Sequence, residues 1–169
     1  MKTALLPARP SLARGIVAPP RASDFGLCDT VPAPLRDAMR VLVVEDDPVQ
    51  SLLLMLFLQR FGIDACLVTD GAQAVTAVKG GTYTLVLMDV LLPVADGVAA
   101  TRAIRQWERA TGRAPLPIVA VTASCMKDEC DLYLAAGMDR VLSKPFSARE
   151  FGELVLHYLR ASQRREARN

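Results

Sequence analysis

The chain has 169 residues, 51% of them hydrophobic, with a mean hydropathy of +0.25 and a formal net charge of +2. Those values suit one folded domain with some chain left over and exclude a disordered protein. The charge is unevenly placed, with a net +3 in residues 1–40, −4 in 41–156 and +3 in 157–169, so the middle lacks the concentrated basic face of a nucleic-acid reader.

Residues 1–39 hold six of the eleven prolines (Pro7, Pro10, Pro19, Pro20, Pro32, Pro34) and no apolar periodicity, which predicts a disordered leader. Met39 is an alternative start, because the fold signal begins one residue later. A folded domain is expected over 40–160 and a basic tail over 161–169. The longest apolar run, Leu52 to Leu58, is too short to cross a bilayer, and no signal-peptide core precedes it. Cys28, Cys66, Cys125 and Cys130 form no CxxC pattern and have no histidine beside them. Zinc is therefore disfavoured, Cys66 reads as a small core residue, and a reduced, cytoplasmic chain is expected.

Val41-Leu42-Val43-Val44 is a buried-strand run that stops on Glu45-Asp46-Asp47-Pro48. Pro48 suits the first turn of a helix. Val49, Leu52, Leu53, Leu56 and Phe57 then recur at the spacing of a core-facing stripe, with Gly62 as its end. On that assignment Leu54, Met55 and Leu58 face solvent and are candidates for a docking surface. Ile63 to Val68 reads as a weaker strand. Asp70, with Gln73 three residues on, opens a helix that closes at Gly80-Gly81.

Leu85 to Met88 is a continuous apolar run that stops on Asp89, stays apolar through Leu91 and Leu92, and breaks at Pro93. Such a run reads as a strand buried on both faces, as in a parallel sheet. Taken alone, Asp89 fits either chemistry beyond a strand end or simple capping of the next element. Val98, Ile104 and Trp107 mark a helix ending near Gly112. Ile118 to Val121 is a fourth strand closing on Thr122-Ala123-Ser124, and a polar helix runs from there to Gly137. Val141-Leu142 is a short fifth strand leading to Ser143-Lys144-Pro145. Ser147-x-x-Glu150 is a capping box for a last helix whose apolar face is Phe151, Leu154, Val155, Tyr158 and Leu159. His157, the single histidine, reads as a surface residue.

Strand and helix alternate five times, which defines a parallel α/β fold. Right-handed crossovers put every strand's carboxyl end on one edge, and there Glu45, Asp46, Asp89, Thr122 and Lys144 meet. Local capping does not explain so many polar strand ends. Carboxylates about 4 Å apart repel by about 4 kcal/mol at an effective dielectric near 20, so cations are required. Lys144 supplies one, and a hard divalent ion that accepts oxygen ligands, Mg²⁺, supplies the rest. The reaction such an edge supports is attack of a carboxylate on phosphorus to give an acyl phosphate. A threonine hydroxyl drawn toward the new charge then provides a switch.

The segments VLVVEDDP, LVLMDVLLPVADG, IVAVTAS and GMDRVLSKPF resemble the four signatures of two-component response-regulator receiver domains. The likeness covers about residues 40–160. TAS-x-M and AAGMD-x-x-LSKPF are especially similar to the receivers of hybrid sensor kinases. The resemblance implies a doubly wound, flavodoxin-like (βα)5 fold with sheet order 2-1-3-4-5. It makes Asp89 the phosphoacceptor, Thr122 the switch hydroxyl and Lys144 the phosphate-pairing cation. It further implies Mg²⁺ held by Asp46, Asp89 and the backbone carbonyl of Leu91, with Glu45 acting mainly through metal-bound water, and a cis bond before Pro145. The phosphoryl donor would be a histidine kinase or a histidine phosphotransfer protein. Direct contact with nucleic acid or membrane is not expected, and a homodimer is left open.

Two departures stand out. Val141 replaces the aromatic residue common three positions before the lysine, and Leu91 and Leu92 make the rim apolar. A dehalogenase-like phosphatase would need a second acid where Leu91 stands, and a flavodoxin-like carrier would need a polar, uncharged loop where Glu45-Asp46-Asp47 stand. The alternative that survives is a receiver-like interaction module that is not phosphorylated.

Overall fold

The computed structural model describes residues 39–93, 96–123 and 126–166, without the side chains of Gln163, Arg165 and Glu166. The predicted leader 1–39 therefore lies outside the described residues, except for Met39, which is buried in the core. The alternation read from the sequence is the alternation observed. It runs β1 (Arg40–Val44), α1 (Pro48–Arg60), β2 (Asp64–Val68), α2 (Gly71–Gly80), β3 (Leu85–Asp89), α3 (Gly97–Thr111), β4 (Ile118–Thr122), α4 (Lys127–Ala135), β5 (Arg140–Ser143) and α5 (Ala148–Glu166). All four strand pairs are parallel and the sheet order is β2-β1-β3-β4-β5.

The period of two along the central strands builds two cores. Val41, Val43, Leu85, Leu87, Val119 and Val121 point to one face, where α1 and α5 cover them with Leu54, Leu58, Phe151, Val155 and Leu159. Leu42, Val44, Val86, Met88, Ile118 and Ala120 point to the other, under α2, α3 and α4. Because both faces are covered, β3 and β4 are buried along their whole length, which is why they read as unbroken apolar runs. The edge strands β2 and β5 are only half-buried.

Helix starts follow their capping side chains. Asp47 accepts from the N–H groups of Val49 and Gln50 ahead of α1, and Asp70 accepts from Gln73 ahead of α2. Asp96 does the same for Ala99 ahead of α3. The Ser147–Glu150 box closes both ways: Glu150 Oε2 accepts from Ser147 N–H at 2.7 Å, and Glu150 N–H donates back to Ser147 Oγ at 3.2 Å. Gly112 terminates α3 in the left-handed region at φ 67°, a conformation costly for any residue with a Cβ.

Two expectations are corrected. Most of the predicted core face of α1 is turned outward: Leu54 and Leu58 are 2% and 0% exposed and Met55 is half-buried, whereas Val49, Leu52, Leu53 and Leu56 face solvent; of the predicted stripe, Phe57 packs inward. Residues 52–58 are apolar without a break, so periodicity cannot choose a side, and the choice falls to tertiary packing against β1 and α5. Leu54 and Leu58 are therefore not docking residues. The second correction concerns sulfur. Cys66 is a free thiol as expected, but Cys130 is disulfide-bonded.

Candidate functional site

Parallel pairing brings the carboxyl ends of the strands together, and the register fixes which residues meet. Val44 lies beside Met88, Asp89 beside Val121, and Thr122 beside Ser143. The next residue after β5, Lys144, donates its backbone N–H to the Thr122 carbonyl at 2.7 Å and precedes a cis peptide bond to Pro145. Its ammonium then bridges two strands' carboxylates, with Nζ 2.7 Å from both Glu45 Oε2 and Asp89 Oδ2. The other Asp89 oxygen, Oδ1, accepts the Leu91 N–H at 2.9 Å.

Glu45 is 1% exposed and Asp89 and Thr122 are also buried, while Asp46 faces solvent. One carboxylate oxygen from each of Glu45, Asp46 and Asp89 fits within a 4.8 Å span. Asp47, the third acid in sequence, is turned away as the α1 cap. Burial raises the Glu45 carboxyl above its ordinary value; the Lys144 hydrogen bond opposes the rise and the Asp89 charge adds to it. Burial alone would lower the Lys144 ammonium, but its hydrogen bonds to Asp89 and Glu45 outweigh that and hold it above its ordinary value. The group is thus a locked cation among three acids that it cannot neutralise alone.

An all-oxygen donor set with surplus negative charge, open on the Asp46 side, fits a hard divalent ion that keeps part of its water, as Mg²⁺ does. Every predicted site side chain is present at this edge. Leu91 is 72% exposed and forms an apolar rim, whereas Leu92 packs inward against the core. Val141 is half-buried against the α2–α4 core, so no ring stands at that position.

Three contributors escape sequence reading. The Leu91 N–H that orients Asp89 is a backbone group and carries no residue signal. Asp47-Pro48 could have been read as a cap followed by a first-turn proline, which would have separated Asp47 from the acidic pair. Gly97 donates its N–H to the Val90 carbonyl at 3.1 Å, and a Cβ there would lie 2.2 Å from the Asp89 carbonyl oxygen. Only glycine lets α3 start this close to the acceptor strand.

A sheet of order 2-1-3-4-5 whose carboxyl edge gathers a buried aspartate, an acidic pair, a threonine and a bridging lysine is the arrangement of a signalling receiver domain. The chain belongs to the response regulator receiver domain family, which it matches over residues 41–156. It is 44% identical over 121 residues to the sensor protein GacS of Pseudomonas syringae pv. syringae, an alignment that takes in 72% of this chain and 13% of GacS. The chain thus spans only a small part of the curated relatives it matches. Among solved structures, it is 36% identical to the receiver domain of the sensor histidine kinase PA1611 from Pseudomonas aeruginosa PAO1, crystallised with a magnesium ion in the active site cleft. The TM-score is 0.65, over 72% of this chain and 97% of that one. It is 31% identical to a chain of the Saccharomyces cerevisiae complex of the phosphotransfer protein Ypd1 with the Ssk1 receiver domain, at a TM-score of 0.68 over 71% and 88% of the two chains. The kinship with receivers of sensor kinases agrees with the wording of the signature segments.

Proposed function

We propose that this receiver takes a phosphoryl group from a phosphohistidine onto Asp89, with Mg²⁺, and that the transfer alters a protein-binding surface. The observation that carries the reading is the Lys144 bridge: a buried acceptor carboxylate held 2.7 Å from a cation beside an acidic cluster able to take a metal. Asp46, Asp89 and the Leu91 carbonyl would hold the ion. Both Glu45 oxygens already have partners, Lys144 and the Asp47 N–H, which suits contact with the ion through water. When bound, Mg²⁺ supplies positive charge to the phosphoryl oxygens.

The Asp89 carboxylate attacks phosphorus, the phosphorus–nitrogen bond breaks, and imidazole leaves with the electron pair of that bond. Lys144 exchanges its hydrogen bond to Asp89 for one to the phosphoryl group, and the Thr122 hydroxyl donates to the same oxygens. Because Lys144 and Thr122 are joined through a backbone hydrogen bond, a shift of one carries the ends of β4 and β5 with it. Small phosphodonors can serve the same carboxylate, and the donors and Mg²⁺ are both found in the cytoplasm, where we place the reaction.

The donor docks along the exposed face of α1. Val49, Leu52, Leu53 and Leu56 form an apolar strip there, continuous with a groove of about 360 Å³ lined by Gln50, Leu53, Ala123, Lys144 and Phe146. That continuity with the acceptor favours the helical carrier of the phosphohistidine as occupant, since the histidine must reach Asp89. Val141, which removes a ring from the expected switch, favours one second reading, a binding module that is not phosphorylated. Incubation with Mg²⁺ and acetyl phosphate separates the two: an intact-mass gain of one phosphoryl group, absent in Asp89→Asn, supports transfer. No gain in the folded wild-type chain supports the module.

A further inference from the structure

At the edge of the sheet opposite the acceptor lies a cavity of about 240 Å³ that the phosphoryl chemistry does not use. Its walls come from the latter halves of α2, α3 and α5 and from the segments that lead into β3 and β4. The chain's single tryptophan, Trp107, and two of its three tyrosines, Tyr83 and Tyr158, line it. Two of the rings are held by cations: Arg113 lies 4.9 Å from the centre of Trp107, and Arg40 lies 5.4 Å from that of Tyr83. Buried Glu108 accepts the Leu116 N–H at 2.7 Å, which fixes the wall where Leu116 stands between two prolines. The cavity is smaller than the roughly 300–1,000 Å³ of small-molecule and cofactor pockets, which argues against a free small ligand. A preformed aromatic groove suits a proline-rich strand instead, because such a strand loses little freedom when it docks.

The chain itself carries such a strand next to the cavity. Arg40 donates its N–H to Thr84 Oγ1 at 3.1 Å and accepts the Thr84 N–H at 2.9 Å, and Thr84 lines the cavity. Met39 is 2% exposed, so the residues before it are tethered at the cavity's rim. We propose that residues 31–35 of the same chain occupy this cavity as a polyproline II strand packed against Trp107 and Tyr83. At three residues per turn, Val31 stands over Pro34 and Pro32 over Leu35, so two of the strand's three faces are apolar. Thr30, Ala33 and Arg36 share the third face, which is left for solvent. Residues 36–38 bridge Leu35 to Met39 across at most about 14 Å, too little to carry the strand far from the rim. So short a tether gives an effective concentration in the millimolar range, and a contact with Kd of about 100 µM then fills the cavity about nine-tenths of the time. Pro7, Pro10, Pro19 and Pro20 lie much farther along the chain and lack this advantage. Docking at the edge opposite Asp89 leaves the acceptor open and does not depend on the phosphoryl chemistry.

Because Trp107 is the single tryptophan, its fluorescence reads the cavity directly in the full chain. In Pro32→Gly/Pro34→Gly the emission should move to longer wavelength, and acrylamide should quench it about twofold more readily as the docked fraction is lost. Pro7→Gly/Pro10→Gly should match wild type in both respects. Both pairs of substitutions lie outside the folded elements, and circular dichroism checks that the fold is kept. Equal emission and quenching in wild type and Pro32→Gly/Pro34→Gly would overturn the proposal, as would an equal change in Pro7→Gly/Pro10→Gly. Wild-type quenching that rises on dilution from about 100 µM to about 1 µM would overturn it by assigning the cavity to the leader of another copy, since only an association between chains depends on concentration. A synthetic peptide of residues 29–37 that shields Trp107 further in wild type would overturn it by showing the cavity open to a separate proline-rich partner.

Discussion

Gly97 shows how a residue without a side chain can decide a reaction site. A methyl group there would press on the Asp89 carbonyl and on Met88 Cγ, atoms of a fully buried strand that cannot retreat. Gly97→Ala should therefore cost about 3 kcal/mol, the upper range for overpacking, measured as a lower urea midpoint. Phosphorylation by acetyl phosphate should slow as the acceptor is displaced. Asp46 is the opposite kind of residue. It is exposed, makes no ion pair among the described residues, and adds a third charge to a cluster with one cation. Asp46→Asn should raise stability in the absence of metal by about 1 kcal/mol, the scale of a screened like-charge contact. The same change should weaken Mg²⁺ binding about tenfold or more by calorimetry. A loss of both stability and metal affinity would mean that Asp46 supports the fold, not the ion.

At the scale of single elements, what could be read from sequence divides by how local the cause is. Strand ends, the Asp70 helix start and the Ser147–Glu150 box depend on neighbours within four residues, and all were legible. The orientation of α1 was not. Its apolar residues cover every side, and packing against the sheet and the sequence-distant α5 decides that Leu54 goes inward. The partly buried ion network of Arg105, which holds Glu108 at 2.7 Å, Asp139 at 3.0 Å and the Gly137 carbonyl at 2.9 Å, was invisible for the same reason. The α1 assignment is directly testable. Leu54→Ala should cost about 3 kcal/mol as a core truncation. Leu53→Glu should change stability by less than about 0.5 kcal/mol yet slow phosphotransfer from the donor protein; equal stability losses would restore the predicted face.

The cap of α5 carries a pH signature of its own. The Ser147 N–H, then its hydroxyl, hold the Glu150 carboxyl below its ordinary value near 4.5. A lowered folded-state value means that the charge stabilises the native state above the unfolded value, and that this is lost as pH falls through the folded one. Glu150→Gln keeps the cap's geometry but not its charge. Its urea midpoint should fall below wild type at pH 7, and the two should converge as the solution is taken well below pH 4.5. A gap that stays constant with pH would assign the cap's contribution to hydrogen bonding alone.

For the whole molecule, the acceptor edge exists only when the sheet does. Glu45 and Asp46 follow β1, Asp89 ends β3, Thr122 ends β4 and Lys144 follows β5, so no fragment of the chain carries a complete site. The parallel alternation was legible in the residues, and right-handed crossovers gather the strand ends on one edge; the sheet order followed only from the receiver resemblance, and the register was not read. How the edge drives an output was not legible, since Val141 removes the one residue whose chemistry would have announced it. On the proposed reading, the distributed site links metal binding to global folding. An ion held by β1 and β3 together has little affinity for the unfolded chain, in which those acids are far apart. Its binding free energy therefore adds to the stability of the entire domain. At a hundredfold excess over Kd the gain is about 2.7 kcal/mol, read as a rise in the urea midpoint with Mg²⁺ and an unchanged slope. In Asp46→Asn the same Mg²⁺ concentration should give less than half that gain. A wild-type midpoint indifferent to Mg²⁺ would show that Lys144 alone balances the acids, leaving the chain as the binding module rather than the phosphoacceptor.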